Sequence, residues 1–357
     1  MEKINFRLAT REDNQGLLDL AHAVSMSGDI EIVFERNPNF FYACEIQGFS
    51  YQVLVATRSD NTICASGVRV LKSAYINGNP MEIGYLGDLK VSSKARKLRI
   101  LSNGYQKMKK LHQDGQAMLH ITAIIDDNKD AKAALVWKNK DQSIPNYYDL
   151  GRINTYFVFP FLPRFLLNMP KIVRGNREII DNIVSFLNAE GMKKQFFPVY
   201  TREYFLNLRQ FNVSDFYVAY EGDQIVGVVA TWDQSSFRQT LLKKYHGSMT
   251  WIKRILGSLL PQEGERIKHL YVSFVTVKDN SSRILAALLH YVYADIRKVG
   301  YKYFVLGLHE QDALNKALRG VSSIVYKSRL YVAEYKSDDE IRRLLDNRVP
   351  YVEVATL

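Results

Sequence analysis

Cysteine is nearly absent: Cys44 and Cys64 are the two in 357 residues, too few for a disulfide framework and without metal-ligand spacing. Long apolar runs are also missing. The best candidate, FVFPFLPRFLLNMP, is interrupted by Pro160, Pro163 and Arg164 and falls short of the roughly 20 residues that a membrane-crossing helix requires. The opening MEKINFRLATRED has acids and no apolar stretch, unlike a secretory or transit segment. These shortages lead us to expect a cytoplasmic protein with no membrane partner. The seven histidines (His22, His112, His120, His246, His269, His290 and His309) lack an H-E-x-x-H spacing, so no metal is expected. Neither G-x-x-x-x-G-K-[ST] nor G-x-S-x-G occurs, which excludes a P-loop nucleotidase and an α/β-hydrolase.

Acidic charge is the next scarcity. The net charge of +11 favours a polyanionic partner: a nucleic acid, an anionic surface or a phosphorylated cofactor. Between residues 90 and 110 there are eight lysines and arginines and no acid. That stretch leaves an apolar strand, passes through a basic loop and enters a helix with Leu98, Leu101, Tyr105, Met108 and Leu111 on one face. A helix start fed by a strand is an anion site, because its first N–H groups are unpaired and carry partial positive charge.

What is present in quantity is alternation. Ile4, Phe6 and Leu8 mark a strand and Leu17, Leu18, Ala21 and Val24 a helix, with Thr10 and Asp13 as a capping pair. Three strands follow as a meander turning at Asp60-Asn61 and at 77–80, then the basic helix, the strand MLHITAII, a helix and the strand NTYFVF. The second half repeats this order from a helix at 179–187 to a final helix ended by Gly320. Short echoes accompany the repeat: Arg99-Ile100-Leu101 with Arg283-Ile284-Leu285, and Asp130-Ala131 with Asp312-Ala313.

With YLGDLKV as the central strand, Val91 and Arg96 opening the basic loop, and Asn128 and Ala131 in an Asn-x-x-Ala helix opening, the chain resembles a tandem of two GNAT-superfamily N-acetyltransferase domains. The resemblance implies an α/β (α+β) fold with two acyl-CoA N-acyltransferase-like domains, each a mixed, mostly antiparallel sheet flanked by helices. It places an N-terminal, cofactor-binding domain at 1–160, a linker at 161–176 and a degenerate, structural or substrate-shaping domain at 177–357. It implies acetyl-CoA as cofactor and a small-molecule or peptide amine as partner, in a monomer or homodimer. The backbone of Leu89, Lys90 and Val91 would meet the pantetheine arm of coenzyme A, and the loop Arg96, Lys97, Leu98, Arg99, Ile100 and Leu101 its pyrophosphate. Arg99 and Leu101 stand where the family pattern has glycines, and Leu135 where it often has a tyrosine acid. Asp88 is then the candidate proton acceptor, and Tyr147 and Tyr148 the candidate proton donors. Two other readings are open at this point: a GNAT-fold acyl-CoA-binding or regulatory protein without activity, and a basic nucleic-acid-binding module.

Overall fold

The computed structural model describes residues 4–26, 29–95, 100–137, 143–159, 169–257, 260–335 and 341–357. The first half carries the strands β1 (Asn5–Leu8), β2 (Ile30–Glu35), β3 (Ser50–Thr57), β4 (Ile63–Ile76), β5 (Asn79–Val91), β6 (His120–Ile125) and β7 (Asn146–Val158). Its helices are α1 (Asn14–Ala23), α2 (Phe40–Glu45), α3 (Ile100–His112) and α4 (Lys129–Lys132). The second half carries β8 (Lys171–Arg174), β9 (Phe216–Glu221), β10 (Gln224–Trp232), β11 (Gln239–Tyr245), β12 (Leu270–Val277), β13 (Phe304–His309) and β14 (Ser323–Glu334). Its helices are α5 (Ile180–Gly191), α6 (Arg202–Asn207), α7 (Ser248–Leu256) and α8 (Ser282–Lys298).

Twelve strands form one sheet in the order β1-β3-β4-β5-β6-β14-β7-β13-β12-β10-β9-β8, while β2 and β11 pair as a separate antiparallel ribbon. The order is a palindrome about the β14–β7 pair: β3-β4-β5-β6 on one side answers β9-β10-β12-β13 on the other. The repeat expected from element order therefore appears in space, as a mixed sheet flanked by helices, with one addition. Each half gives its last strand away: β14 lies against β6 of the first half, and β7 against β13 of the second. The span expected as a linker, 161–176, carries β8, which extends the sheet beside β9; residues 160–168 lie outside the described ones.

Periodicity explains which faces are buried. Ile100, Tyr105 and Met108 turn one side of α3 to the sheet, and Ile284, Leu288, Val292 and Ile296 do so for α8. Two separate sets of apolar side chains, one around Leu17, Val55, Val70 and Ile121 and one around Val272, Leu285, Leu288 and Leu306, fill the two halves.

Among the described residues, the parallel pairings in the sheet are β5 with β6 and β12 with β13. Close approach at the first is secured by Gly84, where a Cβ would lie 2.1 Å from the His120 ring. Gly84→Ala is therefore expected to destabilise the chain by about 1–3 kcal/mol, the range for overpacking a core. A urea midpoint unchanged from the parent would contradict this reading of the strand contact.

Candidate functional site

Strands β5 and β6 are in register only at Gly84 with His120 and Tyr85 with Ile121; beyond these pairs they part. On their outer sides the ladders continue, β5 with β4 to Val91 and β6 with β14 to Ile125. The facing edges beyond the fork, Leu86 to Lys90 and Thr122 to Ile125, line a cavity of about 400 Å³. Extended backbone without a neighbouring strand presents N–H and C=O groups that a ligand amide can satisfy. The parting begins after Tyr85.

A bulge shapes this edge. Ser66 opposes Lys90 and Val68 opposes Gly87, so Asp88 and Leu89 together face Gly67. Asp88 takes a left-handed backbone conformation (φ 50°), which Asp tolerates better than most residues. Ile100, Leu101, Gly104, Tyr105 and Met108 of α3 wall the cavity on one side, and Asn128, Ala131 and Leu135 border it. Asn128 caps α4, its side-chain oxygen accepting from the Ala131 N–H at 3.0 Å.

The basic run divides by position. Lys109 and Lys110 stand in the last turn of α3, where cations complement the negative end of the helix dipole, and Lys107 and Lys110 point to solvent. Lys94, also exposed, lies six residues before the helix start. Arg96, Lys97, Leu98 and Arg99 lie outside the described residues, so the expected pyrophosphate contacts rest on Ile100 and Leu101 alone, both of which line the cavity.

At the centre of the cavity the lining turns polar. Asp88 is held by the Arg36 guanidinium, which is itself buried and stacked over the Phe40 ring at 4.8 Å. A carboxylate held by a buried guanidinium is a structural partner, and Asp88, the expected proton acceptor, lines the cavity in that pairing. Lys90, 4% exposed, lines the same cavity; burial lowers its pKa against the attraction of Asp88, and Arg36 lowers it further. Burial raises the Tyr85 hydroxyl, so it remains a neutral donor. Cys44, beneath Arg36, is no nucleophile: burial pushes its thiol up to about 12.

Two further groups reach this centre from the second half. Arg238 donates to the Ala355 carbonyl at 2.5 Å and to the Leu357 carbonyl, holding the C-terminal segment beside the cavity. His269 lines the cavity with its ring 5.1 Å from Tyr271 and 6.1 Å from Phe157. Its Nδ1 lies 2.9 Å from the Ile267 carbonyl, an acceptor only, so the proton sits on Nδ1 and Nε2 keeps its lone pair. Burial lowers the pKa of this imidazole, the Ile267 carbonyl works against that, and Arg238 lowers it again.

Tyr147 and Tyr148 are not among the residues lining the cavity. They alternate along β7, so one points to each face of the sheet. The Tyr147 hydroxyl is spent on that of Tyr105 at 2.6 Å, with burial raising its pKa well above the ordinary value, and Tyr148 lies under the Arg342 guanidinium at 3.6 Å. Their expected role as proton donors has no geometric support.

The second fork, between β12 and β13, also opens after two pairs, Leu270 with Phe304 and Tyr271 with Val305. Here it is filled. Glu353 accepts from the Phe274 N–H of β12 at 2.7 Å, and Val354 packs on Gly307 of β13, where a Cβ would meet it at 2.1 Å. Among the described residues no group of three His, Cys, Asp or Glu side chains could hold a metal, and no helix is long and apolar enough to cross a membrane.

No protein-family model matches the chain, and no curated protein is similar to it in sequence. Solved structures are similar in shape. Saccharomyces cerevisiae N-myristoyltransferase with bound myristoyl-CoA superposes with a TM-score of 0.64 at 10% identity, over 93% of this chain and 83% of that one. A GCN5-related N-acetyltransferase from Sphaerobacter thermophilus gives 0.60 at 12% identity, over 99% and 98%. The GCN5-related glucosamine N-acetyltransferase region of a fungal multi-domain GH3 β-N-acetylglucosaminidase gives 0.64 at 10% identity, over 93% of this chain and 38% of that one. The chain has the GNAT-superfamily fold.

Proposed function

We propose that this protein is an N-acyltransferase that uses an acyl-CoA, acetyl-CoA foremost, to acylate a primary amine. The observation that carries the reading is the open fork between β5 and β6: a narrow cavity bounded by two unpaired strand edges at one end of which a helix begins. The fold agrees, and the yeast neighbour holds myristoyl-CoA. Acyl-CoA brings to such a site an acyl group activated as a thioester.

The protein's own residues divide the remaining work. The edges at Leu86 to Lys90 and Thr122 to Ile125 receive the amide-bearing arm by strand-like hydrogen bonds. The start of α3, with Lys94 nearby, attracts the phosphates. His269, its Nδ1 proton held by the Ile267 carbonyl, accepts the proton of the attacking amine at Nε2 as the C–N bond forms, and returns it to the coenzyme A thiolate released when the thioester C–S bond breaks. The bulge takes Asp88 and Leu89 out of the β4 register and turns backbone N–H toward the reacting carbonyl, a role for which the nearby Lys90 ammonium is a second donor. Arg36 with Asp88 fixes the bulge. The second half, its own fork filled, contributes Arg238 and His269 and binds no second cofactor.

Titration calorimetry with acetyl-CoA tests the reading. One site per chain is expected, weakened severalfold by Lys94→Glu. Folded protein giving no heat at millimolar ligand would reject it.

A further inference from the structure

The cavity continues past the polar centre. It runs between the large sheet and the β2–β11 ribbon into a limb lined by Phe157, Phe159, Leu242, Leu260, Ile267 and Ile324. The floor comes from β7 and β14, and the roof from β2 and β11, with Ile30 and Ile32 packed against Leu242 and Tyr245. Tyr245 closes the end, its hydroxyl donating to the Pro261 carbonyl at 3.0 Å. None of these six wall residues carries a charge or a hydrogen-bonding side chain. Of the two side-chain carboxylates that line the cavity, Asp88 is held by Arg36, and Glu35 by Arg266 at 2.7 Å and His22 at 2.8 Å.

Resting on the acyltransferase reading, we infer that the acceptor is an amine carried by an apolar body, aromatic or branched aliphatic, which occupies this limb. The direction of the cavity decides which reactant lies there. Coenzyme A enters from the α3 end, so its thioester reaches the polar centre with the limb beyond it. His269 stands at the neck, its ring against Phe157 of the limb and its free Nε2 available to the amine. An amine at that nitrogen has its substituent beside the apolar walls. Beside these six walls a polyamine or amino sugar leaves ammonium or hydroxyl groups unpaired, the hydroxyls of Thr155, Thr240 and Tyr326 lying elsewhere on the lining. A phenyl or isobutyl group instead gains by leaving water.

The test measures thiol release from acetyl-CoA with phenethylamine, isoamylamine, putrescine and glucosamine, alongside equilibrium titration of each amine into protein saturated with coenzyme A. The expected result is a kcat/KM at least 100-fold higher for phenethylamine or isoamylamine than for putrescine or glucosamine, and the same order in binding. Ile324→Trp, which fills the limb, is expected to weaken phenethylamine more than 10-fold while leaving the coenzyme A Kd unchanged. Preference for the polar amines in either measurement overturns the inference. So does an Ile324→Trp variant that loses octanoyl-CoA rather than phenethylamine, since the limb would then hold the acyl chain. Absence of coenzyme A binding is a different failure, that of the acyltransferase reading itself.

Discussion

Replacing His269 with alanine is expected to lower kcat by about 10²–10⁴, the usual worth of a positioned proton acceptor, with little change in coenzyme A affinity. Three observations make this one of the two largest effects: the imidazole lines the cavity, its proton is fixed on Nδ1 by the Ile267 carbonyl, and it is drawn from the half that does not supply the cofactor fork. The pH dependence follows from the sign of its shift. Catalysis needs the neutral ring, and burial lowers the pKa below its ordinary value of 6.5, so kcat/KM should hold as pH falls through 6.5 and drop only at more acid pH. In the alanine variant that acid limb should vanish, and added imidazole should restore part of the rate. A loss under 10-fold, or an acid limb that persists, would assign the proton transfer elsewhere.

The second large effect is on stability. Asp88→Ala removes the anion from a buried guanidinium, since Arg36 is 4% exposed and has no other carboxylate partner among the described residues. Stranding such a charge costs about 3–5 kcal/mol. Denaturant unfolding should register that loss, and the double replacement Arg36→Met with Asp88→Asn, which keeps a side chain that tolerates the left-handed backbone at 88, should recover most of it, because the cost lies in the unpaired ion and not in the missing bond. A stable Asp88→Ala variant with a thousandfold loss of rate would instead make Asp88 the proton acceptor and reduce His269 to a wall of the cavity.

Much of the frame could be read from pattern. The alternation of 51–57 and 63–76 becomes β3 and β4, and the three-to-four-residue spacing that includes Tyr105 and Met108 becomes the buried face of α3. These are local signals, fixed by which side of a strand or helix meets water. The ribbon was invisible for the opposite reason: β2 and β11 find each other across about two hundred residues, Glu35 opposite Gln239, with no turn to announce them. The centre of the site was half visible. Of the residues the resemblance singled out for the cofactor, Leu89, Lys90, Ile100, Leu101, Asn128 and Ala131 line the cavity and Val91 does not. Arg36, Arg238 and His269 carried no such mark. A lone histidine before an apolar strand is an ordinary residue until a fold from the other half is laid beside it. Tyr147 and Tyr148 stand off the cavity, one against Tyr105 and the other under Arg342, on a strand paired with β14, the last to arrive.

That late arrival has a mechanical meaning. Because β14 borders the first half and β7 borders the second, the two lobes are stitched through one another's middle and cannot swing apart as hinged jaws do. An N-terminal lobe cut off near residue 160 would lack the strand that seals its own sheet.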